Sequence, residues 1–217
     1  MKSLQQHIEE KLIINKNTQN IDDYFIYRLD KTESIKIFHN EWWGAFNEYK
    51  DKVYVDGKHV KLNYAGCTTQ QYEPGIYKIE IKNIDNIVDY TNAMFNYCNQ
   101  LISVPPFDFS KVKEAHYMFE ECTNLESVPQ FNMINVKTTE GMFAECNHLT
   151  TVSLLNTQTI RNMKQMFCHC EDLVDVPLFD INNDAIMDDM FLGCDRLSDE
   201  TKRQWSQIYD FKEHKRK

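Results

Sequence analysis

The chain reads as an α/β solenoid, a stack of short parallel strands and helices closed at one end by a small β-rich cap and at the other by a helix. Three observations predict it. Met-Phe returns every 24 residues, at Met94-Phe95, Met118-Phe119, Met142-Phe143, Met166-Phe167 and Met190-Phe191. Each is followed by a cysteine four residues after its Met (Cys98, Cys122, Cys146, Cys170, Cys194) and then by a leucine (Leu101, Leu125, Leu149, Leu173, Leu197). A period of about 20 to 50 residues that keeps its register marks stacked repeats, none of which can bury its own apolar face alone.

Residues 1–20 come first. Ser3 is placed to cap a helix over residues 3–14 in which Leu4, Ile8 and Leu12 lie on one face, ahead of a polar stretch from Asn15 to Asp23. Such a helix on a polar leash packs on its own chain or docks onto another protein. Residues 21–83 read as a small β-rich cap, with strand-like runs at Tyr24 to Leu29, Ser34 to Phe38, Lys52 to Val55, His59 to Tyr64 and Gly75 to Lys82. Asp56-Gly57 between two alternating runs signals a two-residue hairpin. Trp42, Trp43, Phe46 and Tyr49 suggest a short helix that plugs the cap core.

Residues 84–197 carry the repeats, starting with a degenerate copy at Ile84, Ile87, Val88 and Ala93. Within a copy, Val112, Ala115, Met118, Phe119, Cys122 and Leu125 are spaced by threes and fours, which predicts one helical face. Leu125 to Phe131 reads as a short strand that ends in a turn. Val104, Val128, Val152 and Val176 share a column, as do Phe107, Phe131, Leu155 and Phe179. Asp108, Asn132, Asn156 and Asp180 form a polar column that predicts a ladder of Asx side chains along the turns. In residues 198–217, Ser198 is a candidate N-cap for a helix whose apolar face is Trp205, Ile208, Tyr209 and Phe211, followed by a basic tail.

The phrase Leu-x-x-Val-Pro-x-Phe-Asx, then Val or Ile, then Met-Phe-x-x-Cys, resembles the BspA-like leucine-rich repeat of bacterial surface proteins, in the variant abundant in mycoplasma lipoproteins. The resemblance covers roughly residues 84–197; the copy with Ser153 and Leu155 diverges most. It implies a leucine-rich-repeat-like fold and a habit of binding macromolecules, and no reaction. Met1 to Asn17 is also similar to a leader found on proteins of phages that infect gut Bacteroidetes.

Five of the seven cysteines are repeat columns. Stacking at about 5 Å brings them near disulfide separation, yet a stack gains little from bridging repeats it already packs, so they read as buried small hydrophobes in a reducing compartment. Cys168, His169 and Cys170 invite a metal reading with Cys146 and His148. Cys168 and His169, however, align with Ala144 and Glu145 and are expected to face solvent, so no metal and no cofactor is expected.

Residues 94–197 hold 15 acidic and 6 basic side chains, so the repeats carry the whole formal charge of −9. An acidic surface argues against nucleic acid and anionic lipid as partners. No apolar run reaches the length of a membrane span. Gln5, Gln6, His7, Glu9 and Glu10 interrupt any secretory core, so the expected location is a bacterial cytoplasm or a phage particle. The sequence shows no Gly-rich phosphate loop, nucleophile elbow or HExxH motif. The expectation is therefore a non-catalytic protein-binding module. Its candidate partner face is Ser103, Glu126, Ser127, Thr150, Thr151, Leu154, Val174, Asp175 and Leu178. The alternatives are a phage structural or assembly component docked through Leu4, Ile8 and Leu12, and third a surface adhesin.

Overall fold

The computed structural model describes residues 24–39, 46–84, 89–106, 108–153 and 155–211. The predicted helix of residues 3–14, together with Trp42 and Trp43, lies outside these residues. The strands are β1 (Phe25–Leu29), β2 (Val53–Val55), β3 (Lys58–Val60), β4 (Gly75–Ile81), β5 (Asp89–Tyr90), β6 (Leu101–Ser103), β7 (Val112–Glu114), β8 (Ser127–Val128) and β9 (Thr151–Val152). The helices are α1 (Phe46–Tyr49), between β1 and β2, and α2 (Asp199–Trp205), after β9.

This arrangement corrects the expected α/β solenoid. Among the described residues the helices are two and short, and neither lies within a repeat. The main feature is a seven-stranded mixed sheet in the order β3-β2-β4-β1-β6-β8-β9. Its first half is antiparallel, and β1 also pairs antiparallel with β6. From β6 onward, β8 and β9 add in parallel. A second parallel sheet of β5 and β7 is continued by single bridges from Glu114 to Thr138, Asn162 and Ile186.

The missing helices have a backbone cause. Two residues per repeat take left-handed φ values, at Ala93 and Tyr97, Tyr117 and Glu121, Gly141 and Glu145, Gln165 and His169, and Asp189 and Gly193. A left-handed residue every fourth position cannot continue a right-handed helix. Tandem turns form instead: Cys122 N donates to Phe119 O at 3.0 Å and Leu125 N to Cys122 O at 2.9 Å. These three-residue steps put apolar side chains at the same spacing as a helix, which is why the periodicity misleads. The remaining amides bond across repeats, with Phe95 N to Met118 O at 2.8 Å, Phe119 N to Met142 O at 2.9 Å, Phe143 N to Met166 O at 2.9 Å and Phe167 N to Met190 O at 3.0 Å.

The repeat columns form the core. Met94, Met118, Met142, Met166 and Met190 are fully buried, as are four of the five column leucines. The column phenylalanines stack nearly parallel: Phe95 on Phe119 (5.3 Å, 7°), Phe119 on Phe143 (5.5 Å, 2°), Phe143 on Phe167 (5.7 Å, 5°) and Phe167 on Phe191 (5.7 Å, 8°). Phe25 and Phe38 close one end of this row against Phe95. At the other end Trp205 and Tyr209 meet Phe191 edge-on, and Phe211 stacks on it.

The cysteines do more than fill space. Each thiol donates to the carbonyl of the phenylalanine one repeat earlier: Cys122 to Phe95 O (3.1 Å), Cys146 to Phe119 O (3.1 Å), Cys170 to Phe143 O (3.0 Å) and Cys194 to Phe167 O (2.9 Å). Cys98, with no repeat before it, reaches Ile37 O at 3.5 Å. All seven cysteines are free thiols. Cys168, expected to face solvent, is buried instead, because its position points inward in this turn just as Ala144 does in its own repeat.

The cap follows its local signals except in two runs, Ser34 to Phe38 and His59 to Tyr64; of the latter only His59 and Val60 lie in β3, and Leu62 adds an isolated bridge. Asp56 (φ 46°) and Gly57 (φ 76°) make the tight turn of the β2–β3 hairpin, whose register runs Val55 to Lys58; two consecutive positive φ values are what such a turn requires. The run Ser34 to Phe38 forms no strand and contributes one isolated bridge, at Lys36, next to another at Glu33. Side chains occupy two of its amides, since Ile35 N donates to Thr68 Oγ1 and Lys36 N to Gln100 Oε1, while Ile37 N and Phe38 N share the carbonyl of Gly66.

At the C-terminal end Ser198 Oγ accepts from Thr201 N at 3.1 Å and caps α2. Trp205 Nε1 donates to Val176 O at 3.1 Å and so occupies the open backbone edge of the last repeat. Ile208, predicted to be part of the apolar face, is 44% exposed because α2 ends at Trp205. One rung of the predicted Asx ladder is present, Asn132 Nδ2 donating to Asp108 Oδ1 at 3.3 Å.

Two outcomes follow. Phe143→Ala removes the middle ring, which has a stacked neighbour on each side, and is expected to lower the unfolding free energy in urea by about 3–5 kcal/mol. The second concerns pH. Burial pushes the Cys98 and Cys194 thiols up to about 12, and holds those of Cys122, Cys146 and Cys170 well above the ordinary value. A raised folded-state pKa means that the unfolded chain releases its proton first. Stability is therefore full below the unfolded thiol value of about 8.5 and falls as pH rises toward the folded values, by about 1.4 kcal/mol per pH unit for each such thiol. Urea titrations from pH 7 to 10 should show this decline, and Cys122→Ala with Cys146→Ala should make it shallower.

Candidate partner-binding face

The outward surface of β6, β8 and β9 is built by short strands that show one residue out while the next is buried. In β8 and β9 the valine is buried (Val128, Val152) and the residue before it is exposed (Ser127, Thr151). The parallel register then aligns the outward residues: Ser103 pairs with Ser127, Ser127 with Thr151, and Thr151 bridges to Asp175. A second row lies beside it. Glu126 N donates to Ile102 O at 3.2 Å, Thr150 N to Glu126 O at 3.2 Å, Val174 N to Thr150 O at 2.9 Å and Ser198 N to Val174 O at 2.9 Å.

Seven of the nine positions predicted from the sequence therefore stand in two adjacent rows. Ser127, Thr151, Glu126, Thr150 and Asp175 are exposed, and Ser103 and Val174 are half-buried. Leu178 is exposed but lies beyond the strand register, after Pro177. Leu154 and the docking residues Leu4, Ile8 and Leu12 lie outside the described residues.

The rows are held in place by side chains that return to the backbone or to the cap. Thr150 Oγ1 donates to Glu126 O (3.3 Å) and Ser153 Oγ to Val128 O (3.2 Å). Arg28 of β1 donates to Asn124 Oδ1 at 3.0 Å and lies 3.6 Å from Glu126 Oε1, so the antiparallel part of the sheet supplies a cation at one end of the face. At the other end Ser198 Oγ donates to Asp175 Oδ1 at 2.9 Å. There Thr151, Asp175, Pro177, Glu200 and Gln204 line a shallow groove of about 360 Å³ between the sheet and α2.

A row flanking the face is charged. His148 Nδ1 lies 2.9 Å from Asp172 Oδ2, and Arg196 Nη1 donates to Asp172 Oδ1 at 2.7 Å. The hydrogen bonds from His148 and Arg196 hold the Asp172 carboxyl below its ordinary value. Sequence reasoning missed Arg28 and this row. The signal available was the 24-residue spacing of His148, Asp172 and Arg196, which puts opposite charges on successive rungs.

Chemically the face offers hydroxyls, two carboxylates, a valine edge and a shallow groove, a set suited to hydrogen-bonding and charged contacts across a wide surface. The other polar network, on the second sheet, joins Asn92 to Glu114 (3.1 Å), Thr138 to His116 (3.2 Å) and Asn162 to Glu140 (3.0 Å), again one repeat apart. Those side chains satisfy one another.

No curated protein and no solved structure matches the chain. The family model described as "Mycoplasma protein of unknown function, DUF285" matches residues 64–175 and 89–205, a span that takes in the cap's last strand, the repeats and α2. The two overlapping matches are displaced along the same 24-residue repeat that builds the core. With well over half of its length matched, the chain belongs to the DUF285 family.

Proposed function

We infer that the protein is a non-catalytic interaction module that binds a protein partner through the outward rows of β6, β8 and β9. The observation that carries this reading is the alignment of Ser103, Ser127, Thr151 and Asp175 on successive rungs, with Glu126, Thr150 and Val174 beside them. Core columns repeat their residue type in nearly every copy, whereas these outward columns do not. A rigid scaffold with varied side chains on one face is organised for recognition at little ordering cost. The resemblance to BspA-like repeats of bacterial surface proteins points to the same class of activity. The acidic character of the repeats favours a partner with a basic surface.

A second arrangement has its own motive in the stripe of Leu4, Ile8 and Leu12 and in the likeness of Met1 to Asn17 to phage leaders. There the first residues dock the protein onto a larger particle, and the repeats are displayed.

Both readings are tested by quantitative pull-down from native lysate with the full chain, with a chain lacking residues 1–20, and with the Glu126→Lys, Asp175→Lys double variant. The recognition reading predicts that the truncated chain keeps its partner and that charge reversal weakens capture at least about tenfold, equivalent to about 1.4 kcal/mol. Unchanged binding by the double variant contradicts it. Loss of the partner on truncation favours the docking arrangement.

A further inference from the structure

On an acidic chain, the second sheet carries a row of cations. Lys113, Lys137 and Arg161 stand on three successive rungs, with Lys137 N donating to Lys113 O and Arg161 N to Lys137 O, each at 2.8 Å. All three are exposed. Lys113 is neutralised by Asp89 at 2.6 Å. Among the described residues no carboxylate lies within ion-pair distance of Lys137 or Arg161. Two like charges carried by neighbouring rungs, whose backbones are about 4.8 Å apart, repel one another, and an anion from outside relieves that repulsion.

The turns carry the opposite row. Glu121 and Glu145 occupy the same position in successive repeats, each donating its amide to the next repeat, to Ala144 O at 2.9 Å and to Cys168 O at 2.7 Å. No Lys or Arg pairs with either among the described residues; Glu145 is exposed, and Glu121 is half-buried with a hydrogen bond to the Tyr97 side chain. Their crowding is felt nearby: burial first, and then the charges of Glu121 and Glu145, raise the Glu120 carboxyl above its ordinary value.

We propose that two copies of the chain associate side by side, with Lys137 and Arg161 of one copy against Glu121 and Glu145 of the other. Charge complementarity alone would admit any acidic partner, but the spacing selects among them. Both rows advance by one rung of the same stack, so cation and carboxylate match rung for rung without adjustment. An extended peptide places same-side charges about 7 Å apart and drifts out of register. The contact joins two different patches, so it is heterologous and adds copies with rising concentration. Being built from ion pairs at the surface, three of whose four side chains are exposed, it is weak and sensitive to salt.

The test is sedimentation velocity of the full chain over a concentration series at low and high salt. It is run with Lys137→Glu/Arg161→Glu, with Glu121→Lys/Glu145→Lys, and with the two variants mixed in equal amounts. Circular dichroism of each confirms that it folds. The expected result is a mean mass that climbs above the 25.8 kDa of one chain at low salt, returns to it at high salt, is lost in each variant alone, and reappears in the mixture. A parent chain that stays at one-chain mass throughout overturns the proposal, as does association that survives either reversal. So does a mixture that stays monomeric, which would leave these cations to an acidic partner of another kind.

Discussion

Everything in the repeats depends on one row of stacked rings. Phe95, Phe119, Phe143, Phe167 and Phe191 lie one per repeat, with planes within 8° of their neighbours. That row fixes the rise between repeats, and the rise fixes which backbone groups meet. Phe N finds the Met carbonyl of the next repeat, and the Cys thiol finds the Phe carbonyl of the previous one. The Met, Cys and Leu columns then fill the space around the rings. Burying the Phe, Met and Leu of a repeat contributes about 4.5–9 kcal/mol at about 1.5–3 kcal/mol each. The two left-handed residues in each repeat cost about 1–2 kcal/mol apiece where they are not glycine. Burial therefore exceeds strain, and the chain tolerates Tyr117, Glu121 and His169 in a conformation usually left to glycine. Where glycine does occur, at Gly141, the ring of Tyr117 lies where a Cβ would sit, so the position is closed for packing reasons as well.

A stack of this kind has two ends, and the chain treats them differently. At the N-terminal end the sheet does not stop: β1 pairs with β6 and carries the hydrogen bonding into an antiparallel region. Phe25 and Phe38 cover the first ring there. At the C-terminal end a short helix meets the last ring with Trp205, and the indole N–H occupies a carbonyl of the final edge. An open edge would recruit further chains; side-chain bonds from Thr201 and Trp205 close it. The outward rows are thus held on a surface whose inner side and both ends are fixed, which is what allows a few exposed residues to be presented in a defined geometry.

The inner columns were legible in the sequence because burial repeats a residue type. The 24-residue period identified Met118, Phe119, Cys122 and Leu125 as core positions, and the hairpin at Asp56-Gly57 and the cap at Ser198 were readable from local chemistry. The helix in each repeat was not there to be read. Tandem three-residue turns and a helix put apolar side chains at similar spacings, and only backbone φ separates them; the glycines that would have announced positive φ are present at two of ten such positions. The alignment of Cys168 with Ala144 suggests exposure, yet both side chains are small enough to sit inside the turn and both are buried. The two rows of the candidate face are legible from their variability, whereas Arg28 is not, because it bonds Asn124 from 96 positions away in sequence, a pairing that no local pattern encodes.

The central claim is that the repeats are joined by backbone hydrogen bonds from one copy to the next in place of helical bonds within a copy. Through-hydrogen-bond scalar couplings in isotopically labelled protein measure this directly. The account predicts a coupling from the amide nitrogen of Phe119 to the carbonyl carbon of Met142, and the equivalent from Phe143 to Met166. A coupling from Phe119 to Ala115 instead, the partner four residues back that a helix requires, would contradict it.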